Sequence, residues 1–347
     1  MTDRMKTYDL TIVGGGPAGL YAAFYGGLRE MSVKLIEARG ELGGRLLSYA
    51  EKIVWDVGGV PPIRCSALVE NLIRQARTFE PTIVLGQRVA QLERRGDGTM
   101  VIVSACGQRH ATRALILAVG HGAPGPVRLD LEGAERYEAA NLHYASAAIE
   151  PERLRGKRVL LSSSGTTSSS VRLEELAAVA SRIIVVSRSG GEQLGRTLAA
   201  SPGALVEARA PYAIERLHGA GERIEAATIR RLDGGGFGER RERIEVDEVV
   251  VDHGTRSEYG PLSAWGLEKS AWNFDADARL ATRLPGIFLA GDAANFPSKL
   301  HLIAGALSDA ALAVNGAKKY LDPAASRSAP MSTGSPLFAG RNRALEL

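Results

Sequence analysis

Three glycines and one carboxylate near the amino terminus have the types and spacing to hold a phosphate diester and its sugar. In YDLTIVGGGPAGLYAAFYGGL, residues 8–28, an apolar run over Leu10–Val13 enters Gly14-x-Gly16-x-x-Gly19. Gly14 makes a tight turn, and Gly16 leaves room for a pyrophosphate against the backbone. Gly19 lets a helix pack closely on the strand, and the helix N-terminus supplies partial positive charge. A second strand, SVKLIEA, brings Glu37 to the place where an acid bonds both ribose hydroxyls. That carboxylate repels a 2′-phosphate, so the site favours FAD or NAD over NADP.

Two further stretches point to the longer cofactor, FAD. GELGGR, residues 40–45, is a glycine-rich turn just beyond Glu37, where a dinucleotide continues past its pyrophosphate. PGIFLAGDAA, residues 285–294, reads as a strand ending in Gly291-Asp292, with a helix beginning near Leu300. Asp292 can accept bonds from ribityl hydroxyls; its plainer reading is a helix N-cap.

The elements that must position these groups recur. Strand–helix units at 8–37 and again at 158–188 predict an α/β chain with two Rossmann-like, three-layer (ββα) domains. The expected boundaries are 1–118 for the first part of an FAD domain and 119–254 for an inserted NAD(P)H-type domain. Residues 255–347 complete the discontinuous FAD domain and add a tail. RALILAVG at 113–120 and VDEVVVDHG at 246–254 are the expected linker strands.

The chain resembles the ferredoxin/flavodoxin–NADP reductases built on the thioredoxin-reductase plan. The resemblance runs from residue 7 to about 338. It is carried by TIVGGGPAGLYAAFYGGLREMSVKLIEA, LGGRL, YAEKIVWDVGGVPPIR, LVENLIRQA, PTIVLGQ, NLHYA, YGPLSAWGLE, PGIFLAGD and LIAGALSDAALAVNGAKKYLDP. It implies FAD as cofactor, a homodimer, and Tyr49 stacked on the isoalloxazine. It also implies a cofactor-binding set of Gly14, Gly16, Pro17, Ala18, Gly19, Glu37, Gly43, Gly44, Arg45, Leu46, Tyr49, Val89, Gly291, Asp292, Met331 and Ser332.

Against that family several positions have drifted. The tail reads Met331-Ser332-Thr333 where the family has His before Ser-Thr; a thioether covers a ring but donates no proton. The second dinucleotide loop, in VLLSSSGTTSSSVRLEEL at 159–176, keeps Gly165 and Thr166 but has Ser163 where the family turns on glycine. If that position takes positive φ, a side chain costs about 1–2 kcal/mol. Arg188 stands where the NADPH-binding members have an arginine pair, with Ser189 beside it. One guanidinium grips a phosphate without forming a clamp. The run lacks a G-x-S-x-G and reads as loop and helix, not as a nucleophilic serine. His121, His253 and His301 lie in segments that approach the cofactor in the family.

Composition sets outer bounds. A net charge of +4 over 347 residues permits an acidic partner without requiring one. Basic residues are dispersed among acids, which argues against nucleic acid. The two cysteines, Cys65 and Cys106, form no C-x-x-C, so thioredoxin-reductase dithiol chemistry is excluded, and both read as buried structural thiols. No leader-like segment or membrane-length apolar run is present, which predicts a cytoplasmic protein. ERRGDG at 93–98 and DGGGFGERRER at 233–243 read as hairpin turns, and no metal-ligand spacing is found.

The resulting expectation is an FAD-dependent oxidoreductase with weakened or lost NADPH binding, acting as a divergent flavoenzyme on a small molecule, its catalytic residues unidentified. Two alternatives stand beside it: a functional NADPH-dependent ferredoxin/flavodoxin reductase, and a non-enzymatic flavin-binding protein.

Overall fold

The apolar run Leu10–Val13 is buried on both faces, as a central strand of a covered parallel sheet requires. In the computed structural model, which describes residues 5–144, 149–163, 176–189, 205–233, 240–270 and 273–344, it lies within β1 (Thr7–Val13). The chain divides into two units, Met1–Ala123 with Ser257–Leu347, and Pro124–Arg256.

In the first unit β1 pairs in parallel with β2 (Val33–Ile36), which pairs with β3 (Thr82–Val84). After β4 (Val89–Arg94) and β5 (Met100–Ser104) the chain returns through β6 (Arg109–Leu117) to the other edge of β1. The amino-terminal half of β6 takes β5 antiparallel; its carboxyl-terminal half takes the strand Ile287–Leu289 in parallel. The two parts of the unit, far apart in sequence, are thus joined in one sheet. Leu10, Ile12, Leu35, Ile36 and Leu115–Leu117 form its core, each worth about 1.5–3 kcal/mol when fully buried.

Helix α1 (Pro17–Leu28) covers one face of this sheet, with α2 (Cys65–Ala76) and α3 (Ile303–Leu321) packed beside it. Small residues on α1, including Ala22 and Ala23, are buried and permit the close approach. Helix α3 starts at Ile303 rather than near Leu300. Ser298 takes φ +69 and Lys299 turns inward to Asp309, which holds the preceding loop out of helical geometry.

In the second unit five parallel strands run in the order β7 (Leu142–Tyr144), β14 (Glu248–Asp252), β8 (Arg158–Ser163), β9 (Arg182–Ser187) and β10 (Leu205–Arg209). A second, antiparallel sheet joins β11 (Tyr212–Ala220), β12 (Arg223–Arg231) and β13 (Arg241–Glu245). Buried Glu248 accepts from Lys157 Nζ at 2.5 Å and lies 2.6 Å from His143 Nε2, so its charge is compensated.

Two expectations are corrected here. RALILAVG and VDEVVVDHG supply the end of β6 and most of β14, strands within the two sheets rather than linkers. The chain passes between units later, within Ala123–Pro126 and Thr255–Glu258. Cys65 is buried, but Cys106 is exposed in the β5–β6 turn. Its hydrogen bond with the Ser104 hydroxyl, 3.1 Å away, holds the thiol below its usual pKa.

Candidate functional site

The turn after β1 admits only glycine at two of its positions. Gly14 adopts φ +109, and a Cβ there would sit 2.3 Å from the Ala118 carbonyl oxygen. A side chain at Gly19 would meet the Gly14 carbonyl oxygen at 1.8 Å, so helix and turn close on each other only with glycine. Gly16 is the N-cap of α1 and Pro17 its first residue, where the missing N–H is harmless. No side chain caps this twelve-residue helix and its first turn holds no acid. Its leading amides are free to meet an anionic group.

The second glycine turn folds over the first. Gly43 N donates to Gly15 O at 2.8 Å, and Gly44, at φ +60, would bring a Cβ within 2.8 Å of Gly16 Cα. Two bare backbones therefore face each other, the shape a pyrophosphate chain needs. Residues Gly44–Tyr49 then form a 3₁₀ turn, with Arg45 and Tyr49 exposed and Leu46 half-buried. The Lys52 ammonium sits 4.9 Å from the Tyr49 ring centroid. Val89, the first residue of β4, is buried.

Glu37 follows β2 and is buried. Its Oε2 accepts the Gly15 amide at 2.6 Å and its Oε1 the Arg39 amide at 2.8 Å. Both oxygens keep lone pairs. Gly291 approaches the start of α1, where a Cβ would lie 3.0 Å from the Ala18 Cβ. Its amide donates to Asp309 Oδ2 at 3.2 Å.

Asp292 projects beside His121 and His301, and among the described residues its ion pairs are with these two imidazoles. Burial and the nearby Asp292 charge push the Tyr259 phenol up to about 12, and its hydroxyl donates to Gly120 O at 3.2 Å. Sequence spacing missed this grouping because its members come from three separated segments; only the shared histidine drift hinted at it.

The tail is anchored on α1. Arg29 donates to Ser326 O at 2.8 Å, and the Ala329 amide donates to the Tyr25 hydroxyl at 3.3 Å. Met331 and Ser332 follow this anchor and are exposed.

In the second unit, Gly165 and Thr166 lie outside the described residues. Ser163 is described: it ends β8, in register with Ser187 and Asp252, and its φ is not positive. The conditional strain at this position is therefore not incurred. Arg188 is exposed just past β9. His253 Nε2 lies 2.8 Å from Ser162 Oγ, and burial, reinforced by the Arg188 charge, holds its imidazole below the usual pKa.

Fold and turns together define an α/β oxidoreductase of the dinucleotide-binding class. Residues 8–315 match the family described as pyridine nucleotide-disulphide oxidoreductase. The chain is 43% identical to a ferredoxin–NADP reductase 1 of Bacillus velezensis, with 96% of this chain and 98% of the relative covered. It is 38% identical to one from Bacillus pumilus, with 100% and 99% covered. Its fold matches the thioredoxin reductase of Lactococcus lactis with a TM-score of 0.57 at 20% identity, covering 90% of this chain and 99% of that one. The chain belongs to the FAD-dependent pyridine nucleotide-disulphide oxidoreductases, among the ferredoxin–NADP reductases of thioredoxin-reductase-like build. It carries no C-x-x-C pair. Among the described residues no helix is long and apolar enough to cross a membrane.

Proposed function

We propose that this chain, as a homodimer, uses NADPH to reduce a ferredoxin or flavodoxin through FAD. The observation that carries this reading is the identity of 38–43% to ferredoxin–NADP reductases over nearly the whole chain. It displaces the small-molecule flavoenzyme expected from sequence, whose support was the drifted second loop together with the altered residues, His121, His253 and His301 among them, around the expected flavin. Ser163 without positive φ removes the conformational part of that support.

In this reading the uncapped start of α1, with Gly14, Gly16, Pro17, Ala18 and Gly19, receives the FAD pyrophosphate. Glu37 receives the adenosine ribose, and Gly43, Gly44, Arg45 and Leu46 line the next part of the path. Val89 packs beneath it, Asp292 accepts from the ribityl chain, and Tyr49 covers the ring, with Met331 and Ser332 over its other face. FAD, when bound, supplies hydride acceptance from a nicotinamide and single-electron delivery to a carrier. The residues themselves orient and shield, which is why no acid–base pair is required. In the inserted unit Arg188 receives the 2′-phosphate alone; Gly165 and Thr166 are assigned to the NADPH phosphates by the family resemblance of their motif. The net charge of +4 suits an acidic electron carrier.

The test is steady-state electron transfer from NADPH to cytochrome c, with and without added ferredoxin or flavodoxin. Carrier-dependent turnover supports the reading; turnover indifferent to every carrier contradicts it. Sedimentation of the purified protein as a monomer at micromolar concentration would remove the dimer from it.

A further inference from the structure

The grouping beside Gly291 has a geometry of its own. His121 follows β6, Asp292 follows the Ile287–Leu289 strand, and His301 precedes α3. His121 Nε2 lies 3.4 Å from Asp292 Oδ2, and His301 Nδ1 lies 3.3 Å from Asp292 Oδ1. The imidazoles stack at 24° with centroids 6.0 Å apart, and one ligand atom from each residue falls within 4.8 Å of the others. These nitrogen–oxygen spacings exceed the usual N–H···O separation of about 2.9–3.0 Å. The two imidazoles approach different oxygens of the one carboxylate, His121 Nε2 facing Oδ2 and His301 Nδ1 facing Oδ1. A tetrahedral ion with bonds of about 2.0–2.1 Å holds its ligand atoms about 3.3–3.4 Å apart, so three groups lying within 4.8 Å of one another draw together on binding it.

We propose that His121, Asp292 and His301 form a binding site for a divalent transition-metal ion, Zn²⁺ in the first instance. Two imidazole nitrogens and one carboxylate oxygen suit such an ion, whereas Mg²⁺ and Ca²⁺ seek oxygen ligands throughout. Three protein ligands leave the fourth tetrahedral position open to water. The three side chains are between 32% and 52% exposed, so an ion enters without any unfolding. Asp292 is also the residue assigned above to the ribityl chain, and in this respect the inference rests on that assignment. A carboxylate has lone pairs for both partners. An ion there draws charge from a group beside the flavin and couples cation supply to the flavin's surroundings.

The FAD-loaded full chain is titrated with Zn²⁺ against a chromophoric chelator. Co²⁺ is used in parallel, because its d–d bands report coordination beyond the flavin absorption. One ion per chain is expected. His121→Ala and His301→Ala should each weaken binding by about tenfold or more. His218→Ala, which removes an imidazole bonded to Thr228 in the inserted unit, should leave it unchanged. Both ligand imidazoles are exposed enough for alanine to preserve the fold, and retained flavin absorbance verifies it. No saturable binding, or binding that both ligand variants keep, overturns the proposal. The readout is the chelator and not turnover, so a failed carrier assay and a failed metal titration are told apart.

Discussion

The Glu37 carboxylate is fixed by two backbone amides, Gly15 at 2.6 Å and Arg39 at 2.8 Å, one on each oxygen. These bonds tie the end of β2 to the glycine turn after β1, and they hold the acceptor pair still for a sugar diol. Removing it by Glu37→Ala deletes charge-assisted bonds worth about 1.5–3 kcal/mol. FAD affinity should fall by about 10–100-fold, read as flavin fluorescence released on dilution. Undiminished retention would remove Glu37 from the site.

Lys299 and Asp309 form an ion pair whose side chains are only 4% and 5% exposed. Asp309 also receives the Gly291 amide, so the pair holds the Gly291 turn against α3. Asp309→Ala leaves a buried ammonium without a partner and should cost about 3–5 kcal/mol. Asp309→Asn retains an acceptor for the Gly291 amide and should cost less. Urea midpoints of the two variants decide it; equal midpoints would show that the lost charge, and not the acceptor for the Gly291 amide, sets the cost.

His253 gives the inserted unit a definite pH dependence. Its folded pKa is depressed, first by burial and then by Arg188, below the usual imidazole value of about 6.5. In the window between the folded pKa and about 6.5 the unfolded chain binds more protons, so stability rises with pH there and levels off above. His253→Asn should flatten that slope while keeping a partner for Ser162. Urea midpoints between pH 5 and about 8 test this; an unchanged slope in the variant assigns the dependence elsewhere.

Arg188 should separate the two nicotinamide cofactors. It stands exposed beyond β9 without the second arginine of a clamp. Arg188→Ala should weaken NADPH binding by about 10–100-fold, the worth of one guanidinium–phosphate contact, with little effect on NADH. Equal losses for both cofactors would place Arg188 at a group they share.

Much of the first site is legible in the sequence because local geometry alone dictates its residue types. Gly14 needs positive φ and Gly19 a missing side chain, and both demands arise within one strand–turn–helix unit. The Gly43–Gly44 turn is legible as a turn, but its hydrogen bond to Gly15 is tertiary. What spacing cannot reveal is convergence. His121, Asp292 and His301 meet because β6 and the Ile287–Leu289 strand are neighbours in one sheet. Ser163 misleads for a different reason: residue type suggested a strained turn, while ladder pairing keeps it in an extended strand. Cys106 fails as a buried thiol because a hairpin turn exposes it, a matter of position rather than of residue type.

The central claim is that FAD held on the first unit takes electrons from NADPH despite the altered second loop. Anaerobic rapid mixing of the FAD-loaded protein with NADPH, followed at the flavin absorption band, tests it most directly. The account predicts saturable bleaching with NADPH, faster than with NADH at equal concentration. A flavin that stays oxidised under both, or a protein that cannot be loaded with FAD at all, would contradict it.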